Sequence, residues 1–392
     1  MASAHLIDDF YQGVVPALLP FLVLERQYSY AAVAGLVLAA NFLSSVAQPV
    51  FGWWGDRRPR RWMIPAGMLT AAVGVSLVAF TPEYWMTWIV IAISGMGISA
   101  FHPEAARAAR IAAGNSNRAM SVFAVGGNLG FAVGALVTTP MLLLTGLGGT
   151  PYLLIPAAVM AAVIAIWLRR VLDGPIDAVR PVAHPPGPDN WPGFLRLTAV
   201  VVVRSIVFFG SVSFIALYFI HDFQTSPALG GAALTVFLSA GAVGTLFGGW
   251  LADRVGRLRS IRIGFALAIP SLLGVVLATT WPVAMAFVAL FGVAIFIPFA
   301  VFVILGQDYL PNRIGIASGV TVGLAVTVGG LFSPLLGWIA DQTNLQTAFV
   351  ILIGLTVASL GLAFLLREPS TIPRHPRPLG DTTAEAADEG AL

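Results

Sequence analysis

"GWWGDRRPRR" (residues 52–61) and "GWLADRVGRLR" (residues 249–259) are two versions of one loop, and the distance between them sets the architecture. Their aspartates, Asp56 and Asp253, stand 197 positions apart, about half of the 392-residue chain. Each loop joins two long apolar runs. A weaker third copy, "GWIADQT" (337–343), ends a later run and carries Gln342 where the first two carry Arg. The chain is therefore a duplication. What duplicates is a set of apolar helices, because 58% of the residues are hydrophobic and only 10% are charged. Soluble domains carry roughly 25% charged residues.

Twelve apolar segments can be drawn, each long enough to cross a hydrocarbon layer of ~30 Å. They run 4–25, 30–54, 62–81, 84–110, 117–146, 150–170, 194–221, 228–252, 260–279, 282–308, 314–340 and 345–366. Between the sixth and seventh, "LDGPIDAVRPVAHPPGPDNWPG" (172–193) is too rich in Pro to be one helix. The expected fold is an all-α membrane protein with twelve transmembrane helices in two pseudo-symmetric six-helix bundles. The bundles span 1–171 and 194–367, with a cytoplasmic linker at 172–193. The polar tail 368–392 reads as disordered. Parallel halves with traces of an inverted three-helix repeat are the signature of a secondary transporter.

The charges set the orientation. All 21 basic residues are Arg, and the net charge is +3. With the N-terminus in the cytoplasm, almost every Arg falls at a cytoplasmic helix end or loop, as the positive-inside rule requires. Arg26 alone falls outside, and Arg204 alone lies well within a span. That placement argues for topology rather than for nucleic-acid binding. The absence of cysteine excludes disulfides and thiolate metal sites. The first apolar segment has no basic leader and is followed by Glu25–Arg26, so no cleavable signal is expected. No nucleotide-binding glycine loop, metal-ligand spacing or nucleophile with a base is present. The expectation is a non-enzyme without cofactor or metal, driven by an ion gradient.

Four ionisable residues, His102, Glu104, Arg107 and Arg110, close the fourth apolar run in "ISAFHPEAARAARIAAG" (98–114). Such groups inside a membrane cost about 2.5–3.5 kcal/mol each and usually mark ion or substrate paths. At 1.5 Å per residue, Asp9 lies roughly 10 Å from the midpoint of helix one. His102 and Glu104 lie roughly 7–10 Å from that of helix four, on the same side. His5 and Asp9 share one helix face, whereas Asp8 points about 100° away. Glu104 and Arg107 are spaced to pair, and the facing of His102 is nearly opposite to that of Glu104. Asp9, Glu104, His102 and His5 are thus the candidates for proton coupling, against the plainer reading of Glu104–Arg107 as a structural brace. Arg204, Arg107 and Asn128 are the candidate substrate contacts. A guanidinium suits phosphonate or carboxylate, though Arg204 could equally neutralise a carboxylate across the interface of the halves. Gly126, Gly127, Gly130 and Gly134 form a small-residue stripe on helix five, expected to pack closely.

The loop pattern carried by Gly249, Asp253, Arg254, Gly256 and Arg257 resembles the signature of the major facilitator superfamily. The first copy matches at Gly52, Asp56 and Arg57 and has Pro59 where the family prefers Gly. "AHLIDDF" (4–10), "AFHPEAARAARIA" (100–112) and "FAVGGNLGFAVG" (123–134) resemble the fosmidomycin-resistance branch of drug exporters. In helix five Phe131 follows Gly130 where the general antiporter motif has Pro. The resemblance implies proton-driven export of small toxic compounds, with helices one and four lining a central cavity. It also implies gating roles for Asp56, Arg57, Asp253 and Arg254. The expected setting is a bacterial inner membrane, with both termini cytoplasmic and the protein monomeric. Its partners are then lipid, protons and a small-molecule substrate, with no nucleic acid. Symport of an organic acid or sugar would need the same buried carboxylates. A membrane sensor would need an output domain that the loops are too short to supply.

Overall fold

The structure is a computed structural model that describes residues 1–57, 60–113, 117–171, 188–313, 316–317, 320–321 and 325–369. Most of the Pro-rich linker and of the tail lies outside the described residues. The regular elements among the described residues are all helical: α1 (Ala2–Arg26), α2 (Tyr30–Arg57), α3 (Met63–Ser76), α4 (Tyr84–Ala113), α5 (Asn117–Thr145) and α6 (Leu154–Val171) in the first half. The second half contains α7 (Trp191–His221), α8 (Pro227–Val255), α9 (Arg257–Leu277), α10 (Trp281–Phe296), α11 (Phe299–Tyr309), α12 (Ala325–Gln342) and α13 (Leu345–Phe364). Short 3₁₀ turns at Leu77–Phe80 and Leu147–Leu153 follow α3 and precede α6. Every apolar segment read from the sequence contains a helix.

The tenth segment differs from its reading. It is broken into α10 and α11 at Ile297–Pro298, because Pro298 has no N–H for the carbonyl one turn earlier. The second helix restarts with Phe302 N–H donating to Pro298 O at 3.0 Å. The two pieces together still form one apolar span, Trp281–Tyr309.

Packing repeats half by half. In the first half α1 packs on α5, α2 on α4, and α3 on both α4 and α6. In the second α7 packs on α12, α8 on α10, and α9 on both α10 and α13. The contacts between halves, α2 with α12 and α5 with α8, exchange under the same two-fold relation. Without a hydrophobic force between helices in lipid, backbone approach has to supply the attraction. On α5, Gly126, Gly130 and Gly134 lie against the carbonyl oxygens of Ala2, Leu6 and Phe10 of α1, where a Cβ would collide. The Tyr11 hydroxyl adds a polar tie to the start of α6, donating to Leu153 O (2.8 Å) and accepting from Ala157 N (3.1 Å).

The two ends of the molecule are tied differently. At the arginine-poor end, Asp341 of α12 accepts from the Tyr30 and Ala31 N–H groups at 2.8 and 2.9 Å. A carboxylate from one half thus caps the first turn of a helix in the other, where free N–H groups and the helix dipole favour it. Arg26, the lone Arg at this end, caps carbonyls in its own half: Nη2 donates to Val78 O at 2.7 Å and Nη1 to Thr81 O. At the arginine-rich end, Arg257 binds Asp308 and Glu368, all within the second half.

Three substitutions test this packing. Gly130→Val forces α1 from α5 and should cost about 1–3 kcal/mol, typical of overpacking. Gly249→Ala, inside α8 with nothing within 4 Å, should not lower the thermal midpoint of the purified protein and should raise it slightly through helix propensity. Asp341→Ala removes the cap between halves, worth about 1 kcal/mol. Thiol labelling at a Thr139→Cys site in this cysteine-free chain should then rise roughly fivefold.

Candidate functional site

α1, α4 and α5 converge on a cluster of ionisable groups. His5 stacks on Phe123 of α5, ring centroids 4.2 Å apart, and its Nδ1 donates to Phe123 O at 2.8 Å. His102 of α4 is held in the same manner, with Nδ1 donating to Ile98 O at 2.9 Å. A carbonyl can only accept, so both rings carry their first proton on Nδ1. Both then present Nε2 to one carboxylate. His5 Nε2 lies 3.2 Å from Asp9 Oδ2, and His102 Nε2 lies 3.3 Å from Asp9 Oδ1. Gln12, one turn further on α1, donates to the same Oδ1.

Counting protons shows what this arrangement can do. A neutral imidazole with its proton on Nδ1 turns a lone pair toward Asp9, which also offers lone pairs. Each Nε2···O contact closes only when a proton lies in it, on the ring or on the acid. The cluster therefore changes its internal contacts with every proton gained or lost. Gly127 on α5 gives it space, since a Cβ there would meet Asp9 Oδ2 and the His5 ring. His5, Asp9 and His102 are also the one set among the described residues close enough to share a metal ion. The Gln12 donor and the two imidazoles all meet the two Asp9 oxygens.

Depth along the helices brought Asp9 and His102 together, but it did not bring Glu104. Glu104 is buried on the other side of α4, 3.9 Å from Arg107 Nη1, and its Oε1 has no hydrogen bond. Two further members escaped the sequence reading. Gln12 was available from its three-residue spacing to Asp9. Asp8 does face away from Asp9, yet α4 covers that flank as well, and His102 Nδ1 lies 3.7 Å from Asp8 Oδ2.

Arg204 of α7 is 5% exposed. Its Nε and Nη2 donate to Ile295 O at 3.2 and 3.1 Å, next to the break between α10 and α11. Phe208, Phe296 and Phe299 surround the guanidinium, with centroids 5.0, 5.2 and 5.5 Å away. Among the described residues no carboxylate pairs with it, so the alternative of a partner across the interface is not what this structure contains. Beside the cluster lies a cavity lined from both halves by Gln12, Asn41, Ile98, Phe131, Phe209 and Val212, among others, and Arg204 is not part of that lining. Gln12 belongs to both cluster and cavity. Asn128 is half-buried one residue beyond Gly127.

The loop residues are less engaged. Asp253 and Arg254 are exposed, and Arg254 lies over the Trp250 ring at 4.5 Å. The ion pairs of this loop belong to Arg257 instead. The side chains of Asp56, Arg57 and Arg110 lie outside the described residues.

Apolar spans related by a two-fold axis, with ionisable groups and a cavity at their junction, define a secondary membrane transporter. The chain belongs to the Major Facilitator Superfamily, whose family model matches residues 1–334 and again 197–387. It is 30% identical to the uncharacterized MFS-type transporter YfnC of Bacillus subtilis, over 92% of this chain and 90% of that one. It is 29% identical to the fosmidomycin resistance protein of Escherichia coli, over 93% of this chain and 91% of the relative. Among solved structures, a bacterial homolog of the human lysosomal transporter Spinster, inward-facing and unoccupied, superposes with a TM-score of 0.77. That match has 14% identity and covers 93% of this chain and 95% of the other.

A buried guanidinium without a counter-charge is costly. Arg204→Met should therefore raise the stability of the empty protein by about 1–4 kcal/mol. A thermal melt of purified protein checks this; a lowered midpoint would make Arg204 a structural brace for the broken helix.

Proposed function

We propose that the protein is a proton-coupled exporter of small anionic toxic compounds, of the fosmidomycin type, working by alternating access. The observation that carries this reading is the His5–Asp9–His102 cluster, whose contacts close only with protons, set beside the cavity. Proton binding there favours one packing of α1 against α4, and proton loss favours another, which is the requirement for a two-state element. Glu104, buried beside Arg107, is proposed as a further residue of the coupling path.

Arg204 supports the anionic substrate class. Its fork can take two oxygens of a phosphonate or carboxylate at once, and an arriving anion would supply the charge that its apolar surroundings lack. Arg107 and Asn128 are proposed as secondary contacts. Asp56, Arg57, Asp253 and Arg254 are proposed to act in closing the arginine-rich end. That end faces the cytoplasm of a bacterial cell in this reading, with both termini on that side, and the transporter is a monomer. The likeness to the fosmidomycin resistance protein favours export over uptake.

Inside-out vesicles with an acidified lumen test the reading. Fosmidomycin added outside should be taken up as luminal protons leave, so the lumen turns alkaline. Asp9→Asn and His102→Gln should abolish the alkalinisation while the proteins remain folded. Arg204→Lys, which keeps the charge but loses the fork, should weaken apparent fosmidomycin affinity about tenfold, equivalent to ~1.4 kcal/mol. Silence toward fosmidomycin and a panel of related anions would overturn the exporter reading. Acidification of an alkaline lumen on adding substrate would establish symport instead.

A further inference from the structure

Asp8 is a buried carboxylate that the transport reading leaves without a task. It has no exposed surface, and neither of its oxygens has a hydrogen-bond donor. Few ionisable groups face it. On its own helix these are Asp9 and Tyr11, whose hydroxyl is committed to Leu153 and Ala157. On α4 the neighbour is His102, while Glu104 lies on the side of Arg107. The facing stretches of α3 (63–76), α5 (122–145) and α6 (154–166) contain no titratable side chain. A carboxylate with no exposed surface and no hydrogen-bond donor is disfavoured as an ion and tolerated as a neutral acid, and the one group that could face it as a cation is His102 when that ring carries two protons. His102 stands between the two aspartates, Nε2 toward Asp9 at 3.3 Å and Nδ1 toward Asp8 at 3.7 Å.

We propose that Asp8 is a second proton-binding group of the transport cycle and exchanges its proton with Asp9 through the His102 imidazole. Its part in transport rests on the proton-coupled reading above; its holding a proton does not. From the tautomer seen here, with the proton on Nδ1, the Asp9 O–H bond breaks as an Nε2–H bond forms, and the Nδ1–H bond breaks as that proton passes to Asp8. One proton leaves Asp9, one arrives on Asp8, and the imidazole changes tautomer; the return path runs through the same bonds in reverse. Here Nδ1 donates to Ile98 O at 2.9 Å, so the ring has to swing off that carbonyl toward Asp8 before transfer. The relay is closed in this conformation and opens when α4 moves relative to α1.

Infrared spectroscopy of the full-length protein in lipid at neutral pH tests the proton. A protonated carboxylic C=O band should be present, should survive Asp9→Asn and Glu104→Gln, and should vanish in Asp8→Asn. Absence of the band from the wild type, or its persistence in Asp8→Asn, overturns the proposal. If Asp8→Asn does not fold, the Asp9→Asn/Glu104→Gln double variant decides, since its band can then come from Asp8. His102→Gln should leave the band but slow its hydrogen–deuterium exchange at least tenfold; unchanged exchange overturns the relay. In proteoliposomes, Asp8→Asn should lower the number of protons moved per fosmidomycin, and an unchanged ratio overturns the transport role. No fosmidomycin-driven flux in the wild type would be a failure of the exporter reading, and the infrared band would still decide whether Asp8 holds a proton.

Discussion

The site depends on how closely α5 approaches α1. Glycines spaced four apart on α5 meet carbonyls spaced four apart on α1, so the two backbones touch along two turns in register. That register places Phe123 O where it can orient His5, and it places Gly127 where a side chain would occupy the space of Asp9. Lipid-exposed helices gain nothing from hydrophobic exclusion against one another. Small residues on α5 therefore do two things at once: they hold the first half together and leave the volume in which two imidazoles and a carboxylate can meet. A larger residue at 127 would act on the chemistry, and one at 130 on the packing.

The two halves repeat their helix pairings yet differ in what they bury. The first half holds acids and imidazoles whose contacts depend on protons. The second half holds a cation whose immediate partners are a carbonyl and three aromatic rings. A ring face attracts a cation through its quadrupole, and a carbonyl adds a dipole, but neither brings a net charge. The asymmetry is electrostatic, laid over a symmetric scaffold, and the cavity lies along the boundary between its two members.

Most of the fold was legible in the chain because a membrane leaves few alternatives. Runs of about twenty apolar residues can only be helices, and the repeated Gly-Trp…Asp-Arg loops gave the pairing of the halves. What failed to show was which face of one helix meets which face of another, and any partner far along the chain. Asp9 and Glu104 share a depth, but rotation sends Glu104 to Arg107 and brings His102 to Asp9. Asp8 was read as facing away from the functional face, which holds for α1 alone and fails once α4 covers the flank. The break at Pro298 was hidden inside an unbroken apolar run. Asp341 looked like a degraded copy of the loop motif, and its real neighbours, Tyr30 and Ala31, lie more than three hundred residues away.

That last contact connects the motif copies to one physical idea. Each copy places an aspartate near the end of a helix, and in the third that aspartate reaches the free N–H groups of a neighbouring helix. In the third copy the capped helix belongs to the other half, so the hydrogen bonds hold only while the arginine-poor end is closed. When the end parts, Asp341 and the first turn of α2 both become solvated, and water replaces the lost bonds, which holds the net cost to about 1 kcal/mol. A latch of this kind is weak by construction. In the proposed cycle, the balance between two packings is then left to the more deeply placed charges at Asp9, His102 and Arg204.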